Sequence, residues 1–387
     1  MSVSGNFRNC RKITVERKRP AGSQPHGWKQ INPFRNYILE RMCSNVRKGI
    51  KTENRGDRRS MGSKTHMSMK IIGTGSALPA KQVSNEDLTR LVDTSDEWIR
   101  ERTGIGSRHI STGETAASLA ADACKRALEN AGREASQVEL LLAATCSPEM
   151  ALPCTACQVQ ELTGMENAVA FDLNAACAGF LFALNTAYAY ITAGLYRNAL
   201  IVGTEVLSKL IDWSDRGTCI LFGDGAGAVM VERCEDGGVL GFVQHSDGSR
   251  GKVLACGSRR LENPYFEGQD FMRYVQMDGR EVFAFAVRQV PAGIEEALEK
   301  AGAGVEDVDL FVLHQANRRI IEGIARRLKA DISKFPVNLD RVGNMSSAAI
   351  PVLLDELNRQ GRLVPGMTLV LSGFGAGLTY GACVIKW

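Results

Sequence analysis

Cys177 is the residue around which chemistry can be built, because it sits in FDLNAACAGF (171–180), where an apolar strand expected to be buried runs through small residues into a long apolar helix. A thiol at a helix N-terminus faces unpaired backbone N–H groups and the positive end of the helix dipole, which favours its thiolate and makes it a nucleophile. Taken alone, a cysteine among apolar neighbours reads as well as a small core residue. Two further residues tip the balance. His314 ends the apolar strand DVDLFVL, so its imidazole projects from the C-terminal edge of a sheet, and Asn344 follows Gly343 in GNMSSAAIP. Each has a plain structural reading, a hydrogen-bonded strand-end histidine and a turn asparagine. Together, a thiolate beside two donors to an oxyanion is what acyl transfer through a thioester requires.

Positioning these three residues falls to an alternation of strands and helices. From Met69 the chain reads as a strand, MKIIGTGSAL, then a short helix capped by Ser84 and Asp87, then a helix from about Thr115 to Ala131 followed by the strand QVELLLAAT. This is the pattern of an α/β protein with largely buried sheets. The chain also repeats itself. ALENAGREASQVELLLAATC at 127–146 matches ALEKAGAGVEDVDLFVLHQA at 297–316, an offset of 170, and LIVGTE from Leu200 matches LVLSGF from Leu369, an offset of 169. The chain therefore reads as a duplication, with halves at 67–235 and 236–387. On the second offset Cys177 falls opposite Ser346, and pseudo-twofold packing would set the two strand-to-helix junctions face to face. The stretch from His245 to Met277 is charged, Gly-rich and without a counterpart in the other half, which suits the wall of a substrate channel.

Composition narrows the function classes. With 387 residues, 44% hydrophobic and 23% charged, the chain has the make-up of a soluble globular protein. Residues 1–66 hold 16 Lys and Arg against 4 Asp and Glu, so a segment at +12 precedes a body at −8. The acidic body argues against general nucleic-acid binding. The basic segment shows no apolar periodicity and is expected to be disordered. Translation assigned from too early a start, with Met67 or Met69 as the true beginning, explains it better than a transit peptide or a nucleic-acid-binding arm. Eleven scattered cysteines without a secretory signal fit free thiols in a reducing cytoplasm, and no run of eighteen apolar residues marks a membrane span. Cys154 and Cys157 form an isolated C-x-x-C, better read as packing residues in a first helical turn than as a zinc or redox site. GDGAGAV at 223–229 lacks the context of a dinucleotide or phosphate loop and reads as close strand packing, so neither a nicotinamide cofactor nor a metal is expected.

The motifs ACAGF, HQAN, GNMSSAAIP and GFGAGLTYGA, with DTSDEWI and DRGT, resemble in order those of the β-ketoacyl-acyl carrier protein synthase III family, from about Met69 to Trp387. The resemblance implies the thiolase fold, a five-layered αβαβα duplication, which agrees with the internal repeat. It implies a decarboxylating condensation of a short acyl-CoA, such as acetyl-CoA, with malonyl-acyl carrier protein, giving a 3-oxoacyl-acyl carrier protein and starting fatty acid synthesis. Acyl-CoA is then a substrate and not a cofactor, acyl carrier protein is a partner, and the enzyme is a cytoplasmic homodimer with no membrane or nucleic-acid role.

By the same resemblance Cys177 takes the acyl group, His314 and Asn344 bind the malonyl thioester carbonyl, and the N–H groups of Cys177 and Ala376 form the oxyanion hole. Relatives commonly have Gly where this chain has Ala376, a small departure since only the N–H is used. Trp98, Arg102 and Arg216 match positions that hold the adenine end of CoA, and Asn317 one that touches the pantetheine arm. Arg319, Arg326 and Arg327 share one helix face, otherwise an ordinary solvated one, in the helix that docks the carrier protein. Leu152 stands where acetyl-using relatives commonly carry an aromatic that reaches across the dimer into the acyl pocket; a smaller side chain leaves room for a longer or branched primer. A difference of this size is worth only about 1–3 kcal/mol, so the expectation stops at short acyl groups. A synthase III relative that primes a polyketide or other secondary metabolite would share these residues. A cysteine peptidase fits poorly, since Asn344 lies at a helix start and does not orient the histidine, and a non-catalytic descendant would be expected to have lost one of the three.

Overall fold

The structure, a computed structural model, describes residues 67–387. The expectations for residues 1–66 lie outside this range. Two mixed sheets carry the chain. The first contains β1 (Ser68–Ala77), β2 (Leu140–Ala144), β3 (Val169–Leu173), β4 (Asn198–Glu205) and β5 (Gly225–Cys234), ordered β1-β5-β4-β2-β3. The second contains β6 (Gly238–Ser246), β7 (Leu310–Leu313), β8 (Thr368–Gly375) and β9 (Thr379–Lys386), ordered β6-β9-β8-β7. The two orders correspond strand for strand, except that nothing in the second sheet answers β3.

The helices are α1 (Asp96–Thr103), α2 (Ala116–Ala131), α3 (Thr155–Thr163), α4 (Gly179–Thr192), α5 (Gly279–Ala301), α6 (Arg318–Leu328) and α7 (Ala349–Arg359). Local chemistry sets their ends. Thr115 caps α2 by accepting from Ser118 N–H, the Ser118 hydroxyl closes the box, and Gly132 at φ 61 ends the helix. Ser84 and Asp87 form the expected capping box at Asn85–Leu88. Cys154 is the N-cap of α3, and Cys157 in its first turn is exposed, so the second thiol of the C-x-x-C does not pack as expected.

Helices α2 and α3 cover the outer face of the first sheet, and α5 and α6 that of the second. Between the sheets lie α4 and α7, where Phe180, Leu181, Leu184, Leu353 and Leu354 pack against Leu142 and Ile201 on one side and Leu369 and Leu371 on the other. The result is an α-β-α-β-α stack whose middle layer is mainly apolar, with Asp355 of α7 buried against Thr74 and Ser76 of β1. The Gly-rich stretch 223–229 leads into β5, and a Cβ on Gly227 would fall 2.5 Å from the Val352 nitrogen. Helix α7 rests directly on that strand, as the close-packing reading requires.

Ladder register corrects the internal alignment. Leu141 pairs with Leu200 in the first sheet, and Phe311 with Val370 in the second, so the offset is 170 for both strands. The turns Ala176–Ala178 and Ser346–Ala348 agree, each opening on a residue at φ 47, Ala176 and Ser346 respectively. The counterpart of Cys177 is therefore Ser347 and not Ser346. β3 also differs from expectation: it is the sheet edge, with Val169 50% exposed, because no strand among the described residues covers its far side.

Candidate active site

Cys177 sits in the turn between β3 and α4, buried apart from 8% of its surface. The left-handed backbone at Ala176, uncommon for a residue with a Cβ, is held by Asn174, whose Oδ1 accepts from Ala176 N–H at 3.1 Å. Asn344 does the same for Ser346 N–H at 2.9 Å. In the second half, then, the asparagine that props the turn is itself the candidate site residue. Its Oδ1 is committed, which leaves the Nδ2 hydrogens as its donors. Its backbone is fixed as well, by Asn344 N–H to Leu221 O at 2.9 Å and Gly223 N–H to Asn344 O at 3.0 Å.

One cavity of about 120 Å3 is lined by Cys177, His314 and Asn344 together, with Phe222 and Phe374 closing its sides. The three residues named from sequence are thus brought to one space. Cys177 also lines a larger cavity of about 550 Å3, shared with Cys146, Leu207, Cys256, Val275, Ser346 and Ala376. A thiol on the boundary of two spaces can receive a group in one and meet a second reactant from the other. Leu254 belongs to both cavities, Met277 to the smaller, and Cys256 and Val275 to the larger, so the 245–277 segment does wall them.

The electrostatics differ from the sequence expectation at Cys177. Burial pushes its thiol up to about 12 and the Glu205 carboxylate adds to the rise, while the Ser346 hydroxyl and the backbone N–H of Cys177 oppose it. Desolvation is the largest of these contributions, so the unliganded site holds a thiol. His314 is 2% exposed, and burial drives its imidazole down to about 3, so it is neutral at any physiological pH. No protein group among the described residues reaches its buried Nδ1, and its ring meets Phe374 edge-on at 5.4 Å. A neutral imidazole and an amide can both donate to a developing anion without giving up a proton.

Ala376 follows the end of β8 and lines the larger cavity with Cys177. Farther out, Arg102 and Arg216 stand over the Trp98 ring at 5.6 and 4.8 Å. Arg216 also donates to Asp93 O at 2.8 Å. Asn317 caps α6 through Arg319 N–H and donates to Arg102 O at 3.0 Å, joining this cluster to the smaller cavity that it lines. Arg319, Arg326 and Arg327 are exposed on α6, opposite a buried face of Ile320, Ile321, Ile324 and Leu328. Leu152 is 87% exposed and lines neither of these two cavities.

Sequence reasoning passed over Glu205. It ends β4 fully buried, receiving Ser147 Oγ–H at 2.6 Å and Ser347 Oγ–H at 2.8 Å. A carboxylate closing an otherwise apolar strand was the available signal, and its donors come from segments remote in sequence.

Comparison with known proteins agrees with this geometry. Two family models match, 3-oxoacyl-[acyl-carrier-protein] synthase III over residues 171–248 and its C-terminal counterpart over 298–387. A β-ketoacyl-[acyl-carrier-protein] synthase III of Clostridium acetobutylicum is 48% identical over 321 residues, spanning 83% of this chain and 99% of the relative. Among solved structures, the 3-oxoacyl-[acyl-carrier-protein] synthase III of Aquifex aeolicus superposes with a TM-score of 0.78 at 41% identity, covering 82% of this chain and all of that one. The priming β-ketosynthase of the R1128 polyketide pathway superposes with 0.77 at 37% identity, covering 82% and 96%.

Proposed function

The chain belongs to the β-ketoacyl-[acyl-carrier-protein] synthase III family, and from that premise we propose how its residues divide the reaction. The enzyme is a thiolase-fold acyltransferase that carries out the initiating condensation of fatty acid synthesis, with acyl-CoA and an acyl-carrier-protein thioester as substrates. Cys177 attacks the acyl-CoA carbonyl, the acyl–sulfur bond to CoA breaks, and the thiol proton leaves with CoA. Malonyl-acyl carrier protein then enters and loses CO2. The enolate oxygen that forms is held by His314 Nε2–H and Asn344 Nδ2–H, which suits their neutral state. The enolate carbon attacks the acyl carbonyl on Cys177, whose oxyanion meets the N–H groups of Cys177 and Ala376. Collapse expels the Cys177 sulfur as a thiolate, which takes up a proton from solvent to restore the resting thiol, and releases the 3-oxoacyl-carrier-protein. No metal or organic cofactor enters this sequence, because loss of CO2 supplies the carbanion.

The observation that carries the reading is the cavity shared by Cys177, His314 and Asn344. Trp98, Arg102, Arg216 and Asn317 are assigned to CoA, Arg319, Arg326 and Arg327 to the acidic carrier protein, and Leu152 to the acyl pocket of a partner subunit. A homodimer is supported by the edge of β3, uncovered among the described residues, and by the exposure of Val169, Met150 and Leu152. A cytoplasmic setting is supported by the cysteines of the described residues, all free thiols. Among the described residues no helix is long and apolar enough to cross a membrane.

The test is condensation with malonyl-acyl carrier protein and a panel of acetyl-, propionyl-, butyryl- and isobutyryl-CoA, run beside Cys177→Ala and Asn344→Asp. Cys177→Ala is expected to abolish product. Asn344→Asp should still acquire the acyl group on Cys177 yet lose about 100-fold or more in condensation, since a carboxylate replaces the enolate's donor. Product formation undiminished in Cys177→Ala would sink the reading. Because a polyketide-priming ketosynthase superposes nearly as well, the identity of the accepted carrier protein separates that second reading.

A further inference from the structure

Glu205 is a fully buried carboxylate with no Lys, Arg or His in ion-pair contact among the described residues. Its charge is met only by hydrogen bonds. Oε2 receives Ser147 Oγ–H at 2.6 Å, Cys146 N–H at 3.1 Å and Thr145 Oγ1–H at 3.3 Å. Oε1 receives Ser347 Oγ–H at 2.8 Å and, more weakly, Ser347 N–H at 3.4 Å. The Cys146 thiol points at both oxygens, at 3.4 and 3.5 Å, and lies 3.8 Å from Ser346 Oγ.

These partners come from two places that border the nucleophile. Thr145, Cys146 and Ser147 follow β2, while Ser346 and Ser347 form the turn that Asn344 props, and Cys146, Ser147 and Ser346 line the larger cavity with Cys177. Glu205 itself touches neither cavity. A buried anion retained without a cation is costly unless several donors converge on it, and such donors are then held in fixed positions.

We propose that Glu205 is a positioning residue for Cys177, a carboxylate that pins Thr145–Ser147 against the Ser346–Ala348 turn and adds to the burial that holds the nucleophile as a neutral thiol until acyl-CoA is bound. This rests on Cys177 as the nucleophile. An anion near a thiol disfavours the thiolate, and the direction found at Cys177 and at Cys146 includes that contribution from Glu205. The other titratable groups facing the two cavities are Cys146, Asp172, Cys256 and His314. His314 is neutral, and Asp172 is already bonded by Thr155 N–H at 2.8 Å and Ala156 N–H at 2.7 Å, so no cation offsets Glu205. A thiol held protonated in the empty site is shielded from stray electrophiles, and its ionisation waits for a carbonyl to attack.

The test uses the full chain and needs neither CoA nor carrier protein, so it stands apart from the assigned reaction. Iodoacetamide alkylation of Cys177 is followed by mass spectrometry of its peptide from pH 6 to pH 10 in the wild type, Glu205→Asp and Glu205→Gln. At each pH the rate of Cys177 alkylation should rise in that order, by about tenfold for Glu205→Gln. The Asp variant, one methylene shorter, should lie between, and it decides the matter against the wild type if the Gln variant does not fold. Equal rates in all three, an Asp variant that gains as much as Gln, or any other order overturns the proposal. Failure of the condensation assay with this order intact would instead count against the reaction and spare Glu205.

Discussion

Gly375 presses on Cys177 so closely that a Cβ on the glycine would lie 2.7 Å from the Cys177 nitrogen and 3.0 Å from its Cβ. The end of β8 is thereby the wall against which the nucleophile is set, and Ala376 comes next in the chain. Gly375→Ala must displace the Cys177 turn or the strand end. Overpacking of this kind costs about 1–3 kcal/mol, and a nucleophile misplaced by about 1 Å loses about 100-fold in rate. Condensing activity of the folded variant should therefore fall by about two orders of magnitude, with a modest drop in melting temperature. Activity within about threefold of wild type would show that the contact tolerates a methyl group.

The neutrality of His314 has a measurable consequence for stability. Its folded value, about 3, lies below the ordinary 6.5 because burial penalises the imidazolium. Above 6.5 neither state is charged and the group is indifferent; as pH falls from there towards 3 the unfolded chain gains a proton that the folded chain refuses, so stability is lost. At pH 5 the loss amounts to about 2 kcal/mol. Denaturant unfolding at pH 7.5 and pH 5 should thus show a larger acid penalty in the wild type than in His314→Gln. Identical penalties would mean that the imidazole is solvated.

How far such features could be read from sequence depended on whether local pattern fixes them. The alternation of elements and the cap at Ser84 followed from periodicity and turn chemistry, and the convergence of Cys177, His314 and Asn344 from the repeat together with the family resemblance. The repeat was off by one residue at Leu200 and Leu369 because β4 and β8 are buried along almost their whole length. A strand apolar on both faces has no alternation to pin its register. The protonation of Cys177 was misjudged because desolvation comes from the packed middle layer, whereas the helix start is visible in the chain. Glu205 escaped for a similar reason, its closest hydroxyl partners lying 58 and 142 residues away.

Three arginines on α6 should act on one substrate only. Arg319, Arg326 and Arg327 are exposed, and none forms an ion pair among the described residues. An acidic carrier protein approaching that face would be steered by them, whereas acyl transfer from CoA would not. Replacing all three by Glu should raise KM for malonyl-acyl carrier protein by about tenfold or more at low salt. The rate of Cys177 acylation by acyl-CoA should stay within about twofold of wild type. An equal loss in both half-reactions would refute docking at this face.

Leu152 tests whether the primer pocket is completed by a second copy. The side chain is 87% exposed and absent from the larger cavity of its own chain, as expected of a residue that acts on a neighbouring subunit. Leu152→Phe should shift kcat/KM towards acetyl-CoA over isobutyryl-CoA, by about 10- to 100-fold if the ring fills the pocket. A mixed dimer makes the direction explicit. One subunit keeps Leu152 and Cys177, and its partner carries both Leu152→Phe and Cys177→Ala, so only the first can turn over. If Leu152 acts across the interface, that dimer shows the altered preference although its working subunit is wild type. A preference unchanged in the mixed dimer but shifted in the homodimer would instead place the action of Leu152 within its own chain.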